Sequence, residues 1–336
     1  MLKNGKKTLN KLRESYKNIF FLALFSSFIT ISCAKKEVKI PVSVGNVNSV
    51  AVIIDDQLWG GEIGDSVRNK FAAPVIGLPQ EEPVFTINQY PVKLLEGFIT
   101  DSRNIILIKK ETKSRFEIIE NEYAKPQIVV HISGKTVQEI IDTIDNNYAT
   151  IIDKIKTSEI IEIQKINRKG LLKTKKINSK FRINIDIPKT YRMVMRKQKF
   201  IWLKKEISSG SNSILIYQTP IIDIKNKKTM LKNILKIRDS ISNLYIHGSL
   251  SDTRMMVQKE VPYNTEMFLN NKNTIQTKGS WEMLNDNMSG PYINYAILDK
   301  KHNRTIFLDG FCYAPSKMKR DLMLELEAII KTVKFQ

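Results

Sequence analysis

A short apolar segment near the amino terminus, residues 19–31, constrains this chain most because it decides in which compartment the rest folds. Six basic residues and one acidic residue precede it, and it ends at the small residue Ser32, which Cys33 follows directly. This order is typical of a secretory signal peptide. The segment has 13 residues, whereas a helix needs about 20 to cross the hydrocarbon core of a bilayer. A cysteine directly after the cut is the acceptor for bacterial lipidation, so the sequence predicts a signal peptide over residues 1–32 and a lipid anchor at Cys33.

Two other interpretations of this segment stay open. The leader could be cut after Ser32 by an ordinary peptidase, or it could remain as an uncleaved anchor, for which it is short. Thr30 also departs from the Leu, Val or Ile that lipoprotein signals usually carry there. Lipidation is favoured because an unmodified Cys33 would be a free thiol in an oxidising compartment. Each acyl CH₂ that is buried contributes ~0.8 kcal/mol, so two or three chains would hold the body at the membrane.

The residues after the predicted anchor indicate its location. Residues 33–48 form a tether, and its start, Ala34-Lys35-Lys36-Glu37, lacks the acidic cluster that directs some lipoproteins to the cell surface. We expect the protein in the cell envelope, lipid-anchored to the outer membrane, and the analogy predicts that it faces the periplasm. The membrane, reached through the amino-terminal lipid, is therefore its first predicted partner.

The charge of the chain does not identify a partner. The formal net charge is +20, and removal of the leader, which contributes +5, leaves +15. Such a surplus suits anionic lipid, nucleic acid or an acidic glycan. The lysines, however, are spread along the chain and interleaved with acidic residues, which is typical of a solvated surface. Nucleic acid is not expected as a partner in the envelope. With Cys33 acylated, Cys312 stands alone in a strand-like run and is predicted to be a small core residue.

Hydrophobic patterning predicts an α+β fold with two mixed α/β lobes, residues 49–176 and 177–336, mainly of antiparallel sheets packed by amphipathic helices. The predicted strands are residues 49–54, 103–108, 115–120, 127–132, 181–187, 191–195, 200–204, 213–219, 275–283, 292–298 and 305–313. A helix contains Ile63, Val67 and Phe71 on one face. Further helices are predicted over residues 136–168, which could break near Thr157, over residues 230–244, and after Ser316, which we interpret as an N-cap.

The chemical motifs in the chain are weak. Ser133-Gly134-Lys135-Thr136 follows a strand and opens a helix, as in a phosphate-binding loop, but Val129 stands where that loop needs a small residue. Nucleotide binding is therefore not expected. Ser316 and Lys319 have the spacing of penicillin-recognising enzymes, but the companion motifs are reversed or missing. The three histidines are scattered. The sequence therefore assigns no catalytic residue, no metal ligand and no cofactor.

Asp55, Asp56 and Trp59 are the candidate binding residues. The two carboxylates follow a strand and could hold a divalent cation, although helix capping explains them as well. Trp59 beside two glycines could contact a ligand or fill the core. Four prolines crowd residues 74–91, which predicts a long ordered loop, and such loops tend to be functional.

Several ordered blocks of sequence resemble an uncharacterised lipoprotein family, a domain of unknown function of Gram-negative envelopes. They spell VIIDDQLW (52–59), GLPQ (77–80), RNII (103–106), YAKPQ (123–127), IPKTY (187–191), GSW (279–281), GP (290–291) and YAP (313–315). The resemblance spans about residues 40–334. It implies a shared fold and an anchored envelope location. It implies no activity, and no functional residue can be carried over.

Two functions remain at this point. The first is a non-catalytic, lipid-anchored periplasmic body that binds an envelope protein or a glycan through residues 55–91 or through a groove between its lobes. The second is an envelope hydrolase with a carboxylate site, for example one acting on a glycan. A glycosidic site would require a pocket with two carboxylates about 5–9 Å apart.

Overall fold

A computed structural model shows the arrangement of the chain. It describes residues 40–224, 226–248, 250, 252–258 and 262–336, with only the backbone of Lys228. The predicted leader, Cys33 and residues 34–39 of the tether lie outside these residues, whereas residues 40–48 are described. Residues 40–336 form one compact unit. The α+β class with two lobes is confirmed.

The first lobe contains a five-stranded sheet. Its strands are β1 (Ser49–Ile53), β2 (Thr86–Tyr90), β3 (Asn104–Lys110), β4 (Arg115–Glu120) and β5 (Ile128–Gly134), in the order β2-β1-β3-β5-β4. The pairs β1–β2, β1–β3 and β3–β5 are parallel, and only β4–β5 is antiparallel. The central strands β3 and β5 are largely buried on both faces, as expected of parallel strands that are covered on both sides.

Three helices of this lobe are α1 (Asp56–Trp59), α2 (Glu62–Phe71) and α3 (Val137–Asn167). The apolar faces of α2 and α3 pack on one face of the sheet, where Val67, Phe71 and Ile144 are fully buried. Thr136 caps α3 by accepting a hydrogen bond from the Glu139 amide. The predicted break of this helix near Thr157 is wrong, because α3 runs for 31 residues without interruption.

The second lobe contains an eight-stranded antiparallel sheet. Seven strands follow the order β10-β12-β13-β14-β9-β8-β7, and β11 also pairs with β12. They are β7 (Arg192–Lys197), β8 (Phe200–Ile207), β9 (Gly210–Pro220), β10 (Arg254–Val257), β11 (Tyr263–Leu269), β12 (Lys272–Leu284), β13 (Ser289–Asp299) and β14 (Arg304–Tyr313). Across the described residues, antiparallel pairs predominate.

Helices cover both faces of this sheet. α5 (Lys227–Tyr245) packs on one face, and α6 (Arg320–Ile330) with α4 (Lys175–Phe181) packs on the other. The predicted strand over residues 181–187 is mostly wrong: α4 ends at Phe181, and only β6 (Ile183–Asn184) pairs, with β15 (Lys334–Phe335). The alternation was nevertheless informative, because Ile183, Ile185 and Ile187 are all buried.

The two lobes meet along α3 and α6. Ile160 of α3 packs with Leu324 and Ala328 of α6 in one buried cluster, and Gln164 Nε2 donates to the Ala328 carbonyl at 2.9 Å. Within the described ranges, every helix is too short or too polar to cross a lipid bilayer.

Candidate functional site

The structure places Asp55, Asp56 and Trp59 at the carboxyl end of β1. Asp55 and Asp56 are exposed, and Asp56 Oδ1 accepts a hydrogen bond from Gln89 Nε2 at 3.0 Å. Trp59 is half-buried and packs on the core beneath α2. The Arg68 guanidinium lies 4.5 Å from the centre of its ring. These contacts give Trp59 a packing role, and the binding role of all three residues stays a prediction.

A groove between the lobes brings polar and apolar side chains together. Its walls are α3, the proline-rich loop (residues 72–85), strands β11–β13 and α6, and its volume is about 530 Å³. This volume lies within the range of small-molecule sites, about 300–1,000 Å³. We call it the interlobe groove. Much of its lining is aliphatic, including Val75, Leu78, Ile152 and Met323.

The proline-rich loop is fixed across the groove by Glu82. This buried carboxylate accepts hydrogen bonds from the backbone amides of Lys319 at 2.7 Å and Arg320 at 2.8 Å, at the start of α6. It therefore caps a helix of the other lobe and places negative charge at the positive end of that helix. The prediction that Ser316 caps this helix is wrong, since Lys319 holds the N-cap position and Glu82 supplies the oxygens.

Gly77 allows the same loop to approach β12 closely. Its φ is +85°, and a Cβ atom at this position would lie 3.0 Å from the Cβ of Lys278. Both the left-handed backbone and the close approach favour glycine. The wall of the interlobe groove therefore depends on this residue as well as on Glu82.

Lys156 projects from α3 into the groove. Its Nζ donates to Asn48 Oδ1 at 2.6 Å and to the Val84 carbonyl at 3.2 Å, and it lies 5.1 Å from the centre of the Phe85 ring. Burial, with a smaller contribution from the nearby Arg320 guanidinium, lowers the pKa of Lys156 to about 8. Both hydrogen bonds of this ammonium end on neutral oxygens, so its charge is compensated only at a distance.

Asn48 connects Lys156 to charged residues of α6. Its Nδ2 donates to Asp321 Oδ1 at 2.7 Å, and Arg320 Nε donates to the same oxygen at 2.8 Å. Since Asn48 Oδ1 accepts from Lys156, a single amide orients both the lysine and the carboxylate. This network joins the two lobes beneath the groove.

A second polar group occupies the wall formed by α6. Glu327 Oε1 lies 2.9 Å from Lys331 Nζ, and Glu327 Oε2 lies 3.5 Å from Lys278 Nζ. The Tyr295 hydroxyl donates to Glu327 Oε1 at 3.2 Å. Burial opposes ionisation of Glu327, but the two lysines outweigh it and lower the pKa of its carboxyl to about 2. Glu327 is therefore ionised at neutral pH and cannot serve as a general acid there.

The charges along the groove favour an anion. Four cationic residues line it, Lys156, Lys278, Arg320 and Lys331, against the carboxylates Asp153 and Glu327. Glu327 is engaged by two of the lysines, which leaves Lys156 as the lining lysine whose described hydrogen bonds go to neutral acceptors. A carboxylate or phosphate beside Lys156 would supply a direct counter-charge in a partly dehydrated site.

The sequence predicts a groove between the lobes but does not single out Lys156. The available signal was its position in α3, close to the buried residues Ile155 and Ile160 rather than among exposed neighbours. Among 54 lysines and arginines spread along the chain, that signal is weak. In the described part of the chain, no group of three or more His, Cys, Asp or Glu residues is arranged to hold a metal ion.

Comparisons with known proteins identify two regions. Residues 43–168 match the family model described as a domain of unknown function (DUF8532), and residues 170–332 match another, domain of unknown function (DUF4837). No curated protein matches. Among solved structures, a point mutant of protein Mog1 is 7% identical, with 45% of this chain and 89% of that chain covered and a TM-score of 0.29. A likeness at that level supports no conclusion. The chain thus contains two regions that fit domains of unknown function.

Proposed function

We propose that this protein is a lipid-anchored protein of the cell envelope, which binds an anionic, largely apolar ligand in the interlobe groove and performs no chemistry on it. The observation that carries the proposal is Lys156, a half-buried ammonium whose hydrogen bonds go to neutral acceptors, in a groove with aliphatic walls. An acidic group on an apolar chain, as in a lipid or in an apolar segment of an envelope protein, fits both features. A neutral glycan fits the aliphatic walls less well.

The location in this proposal rests on the amino terminus. A basic start, a short apolar segment and Ser32 before Cys33 support secretion and acylation. The absence of an acidic cluster after Cys33 supports a body that faces the periplasm.

Replacement of the predicted acceptor tests this location. We expect the Cys33→Ser chain to lose its acyl groups and to leave the membrane fraction or retain its leader. The measurement is fractionation of cells, followed by mass spectrometry of the amino-terminal peptide, with Ala34→Ser as the control that should behave as wild type. A wild-type peptide with a free thiol, or with the leader attached, would contradict the anchor.

Binding of an apolar anion tests the groove. Residues 40–336 include all the described sheets and cores, so a chain that starts at Ile40 suits this assay. We expect saturable binding of 1-anilinonaphthalene-8-sulfonate, displaced by oleate. Because a charge-assisted hydrogen bond contributes about 1.5–3 kcal/mol, Lys156→Met should weaken binding about 10- to 100-fold. Lys154→Met, two residues away and paired with Glu120, is the matched control.

The same titration has an expected pH dependence. Anions bind the protonated lysine, and the pKa of free Lys156 is about 8, so affinity should be constant below this pH and fall as the pH rises through it. The decline approaches about tenfold per pH unit and should disappear in Lys156→Met. Equal binding by wild type and Lys156→Met, or a flat pH profile, would refute the assignment.

An envelope hydrolase is the second candidate. Asp153 and Glu327 both line the groove. However, the low pKa of Glu327 removes one of them as the proton donor that glycoside hydrolysis requires. The remaining carboxylate, Asp153, is exposed rather than enclosed by the groove, so the observations favour binding over hydrolysis.

A further inference from the structure

The face of the first-lobe sheet opposite α2 and α3 is covered by residues 91–101. This segment leads from β2 to β3 and contains two short 3₁₀ helices, Val92–Leu94 and Gly97–Ile99. Beneath it, Ile53, Ile105 and Val129 form a small buried cluster. A cover of two single turns buries one side of its apolar residues and leaves the other side exposed.

Exposed apolar side chains are concentrated here. The described residues include sixteen large apolar side chains that are exposed, and five of them lie within residues 40–44 and 94–98. They are Ile40, Val42, Val44, Leu94 and Phe98. Phe98 is 71% exposed and Val42 is 77% exposed. Single exposed apolar residues are normal, whereas a contiguous group indicates an interaction surface.

Backbone hydrogen bonds hold the two segments side by side. The Val44 amide donates to the Asp101 carbonyl at 2.7 Å, and the Arg103 amide donates to the Val44 carbonyl at 3.0 Å. Phe98 precedes Asp101 by three residues and packs edge-to-face on Tyr90, with ring centroids 6.4 Å apart. The two segments thus meet at Val44 and Asp101, and we group the five exposed side chains as one surface, which we call the tether-side patch.

We propose that the tether-side patch rests in the interface of the membrane that holds the anchor. The proposal rests on the lipid anchor proposed above. Ile40, where the described chain begins, is seven residues from Cys33. A fully extended chain of that length reaches at most about 25 Å. The surface around Ile40 is therefore held close to the lipid headgroups, at a high effective concentration.

The charges at the patch predict how it binds. Lys93 and Lys125 are exposed near it, and Glu96 is exposed between Leu94 and Phe98. Asp101 adds a further carboxylate, so the patch carries little net charge. Insertion of apolar side chains, rather than attraction to anionic lipid, should hold it, and added salt should have little effect.

A fluorescent label at Phe98 tests the proposal on the full, lipidated chain. Burial raises the pKa of Cys312 to about 12, and acylation blocks Cys33, so Phe98→Cys provides a single reactive thiol for a nitrobenzoxadiazole label. On vesicles of phosphatidylethanolamine and phosphatidylglycerol, we expect a blue shift, a several-fold rise in emission and quenching by brominated lipid. These signals should persist in high salt. Val42→Cys should behave in the same way.

Phe268→Cys is the matched control, since Phe268 is 73% exposed on β11 and lies in the second lobe. Its label should remain in a water-like environment. Acyl mass and vesicle pelleting are measured first, so a chain without lipid is recognised as failure of the anchor and overturns both proposals. A pelleted, acylated chain with water-like emission at positions 98 and 42 overturns this inference alone. If the labels are shielded without vesicles, and the shielding depends on protein concentration, the patch is the interface with a second copy of the chain. That outcome would also overturn the inference of membrane contact.

Discussion

Replacing Asp309 with alanine should lower the free energy of unfolding by about 3–5 kcal/mol, because it leaves an unpaired guanidinium in the core of the second lobe. Arg238 Nε lies 2.7 Å from Asp309 Oδ2, and both side chains are 0% exposed, between α5 and the sheet. The Arg238 guanidinium also lies 3.7 Å from the centre of the Tyr292 ring, and Asn294 Nδ2 donates to Asp309 Oδ2 at 3.1 Å. The measurement is urea-induced unfolding followed by circular dichroism.

A double variant separates the net contribution of this ion pair to stability from the loss of stability that follows removal of one partner. The double variant Arg238→Met/Asp309→Leu removes both charges. Its free energy of unfolding should lie within about 1–2 kcal/mol of the wild-type value, since well-packed apolar residues often replace a buried ion pair without loss of stability. A cost of less than about 1 kcal/mol for Asp309→Ala alone would mean that water reaches Arg238, contrary to the described packing.

Replacing Glu82 with alanine should lower the free energy of unfolding by about 2–4 kcal/mol, since two amides at the start of α6 would lose their acceptor. The carboxylate is 4% exposed, so water would not readily take its place. The proline-rich loop would also lose the two hydrogen bonds by which Glu82 joins it to the second lobe. We therefore expect weaker binding of 1-anilinonaphthalene-8-sulfonate in addition to lower stability.

Amide hydrogen exchange shows whether the effect is local. The amides of Lys319 and Arg320 should exchange faster in Glu82→Ala, whereas those of β13 and β14 should lose protection only through the lower global stability. Glu81→Ala changes an exposed neighbour on the same loop and should leave both stability and exchange unchanged. Unchanged protection at Lys319 and Arg320 would show that Glu82 is not their acceptor.

The sequence predicted those elements whose hydrophobic period is long and uninterrupted. The apolar residues of α3 recur at the helical period, and the runs in β13 and β14 are long enough to identify buried strands. β11 was missed because its side chains are mostly exposed and no alternation marks it. The signal available was Asn270-Asn271, a pair suited to the left-handed backbone of a tight hairpin, and both residues have positive φ.

The parts of the site that sequence reasoning missed depend on residues far apart in the chain. Local rules favoured Ser316 as the cap of α6, but the acceptor is Glu82, more than 230 residues earlier. The proline-rich stretch is predicted to be a loop, but it contains β2. This strand is short and lies at the edge of its sheet, so it lacks the run of buried apolar residues that would predict a strand. The interlobe groove likewise combines segments from both lobes, so no single stretch of sequence carries its pattern.

The seam of Ile160, Leu324 and Ala328 also bears on how such a chain evolves. Side chains from both halves fill it, so a gene rearrangement that separated the halves would leave apolar surface on each product. A substitution on one side would have to be compensated on the other, since residues in contact do not vary independently in their effect on stability. The stability of each half therefore depends on the other across this seam, although each of them fits a different family model.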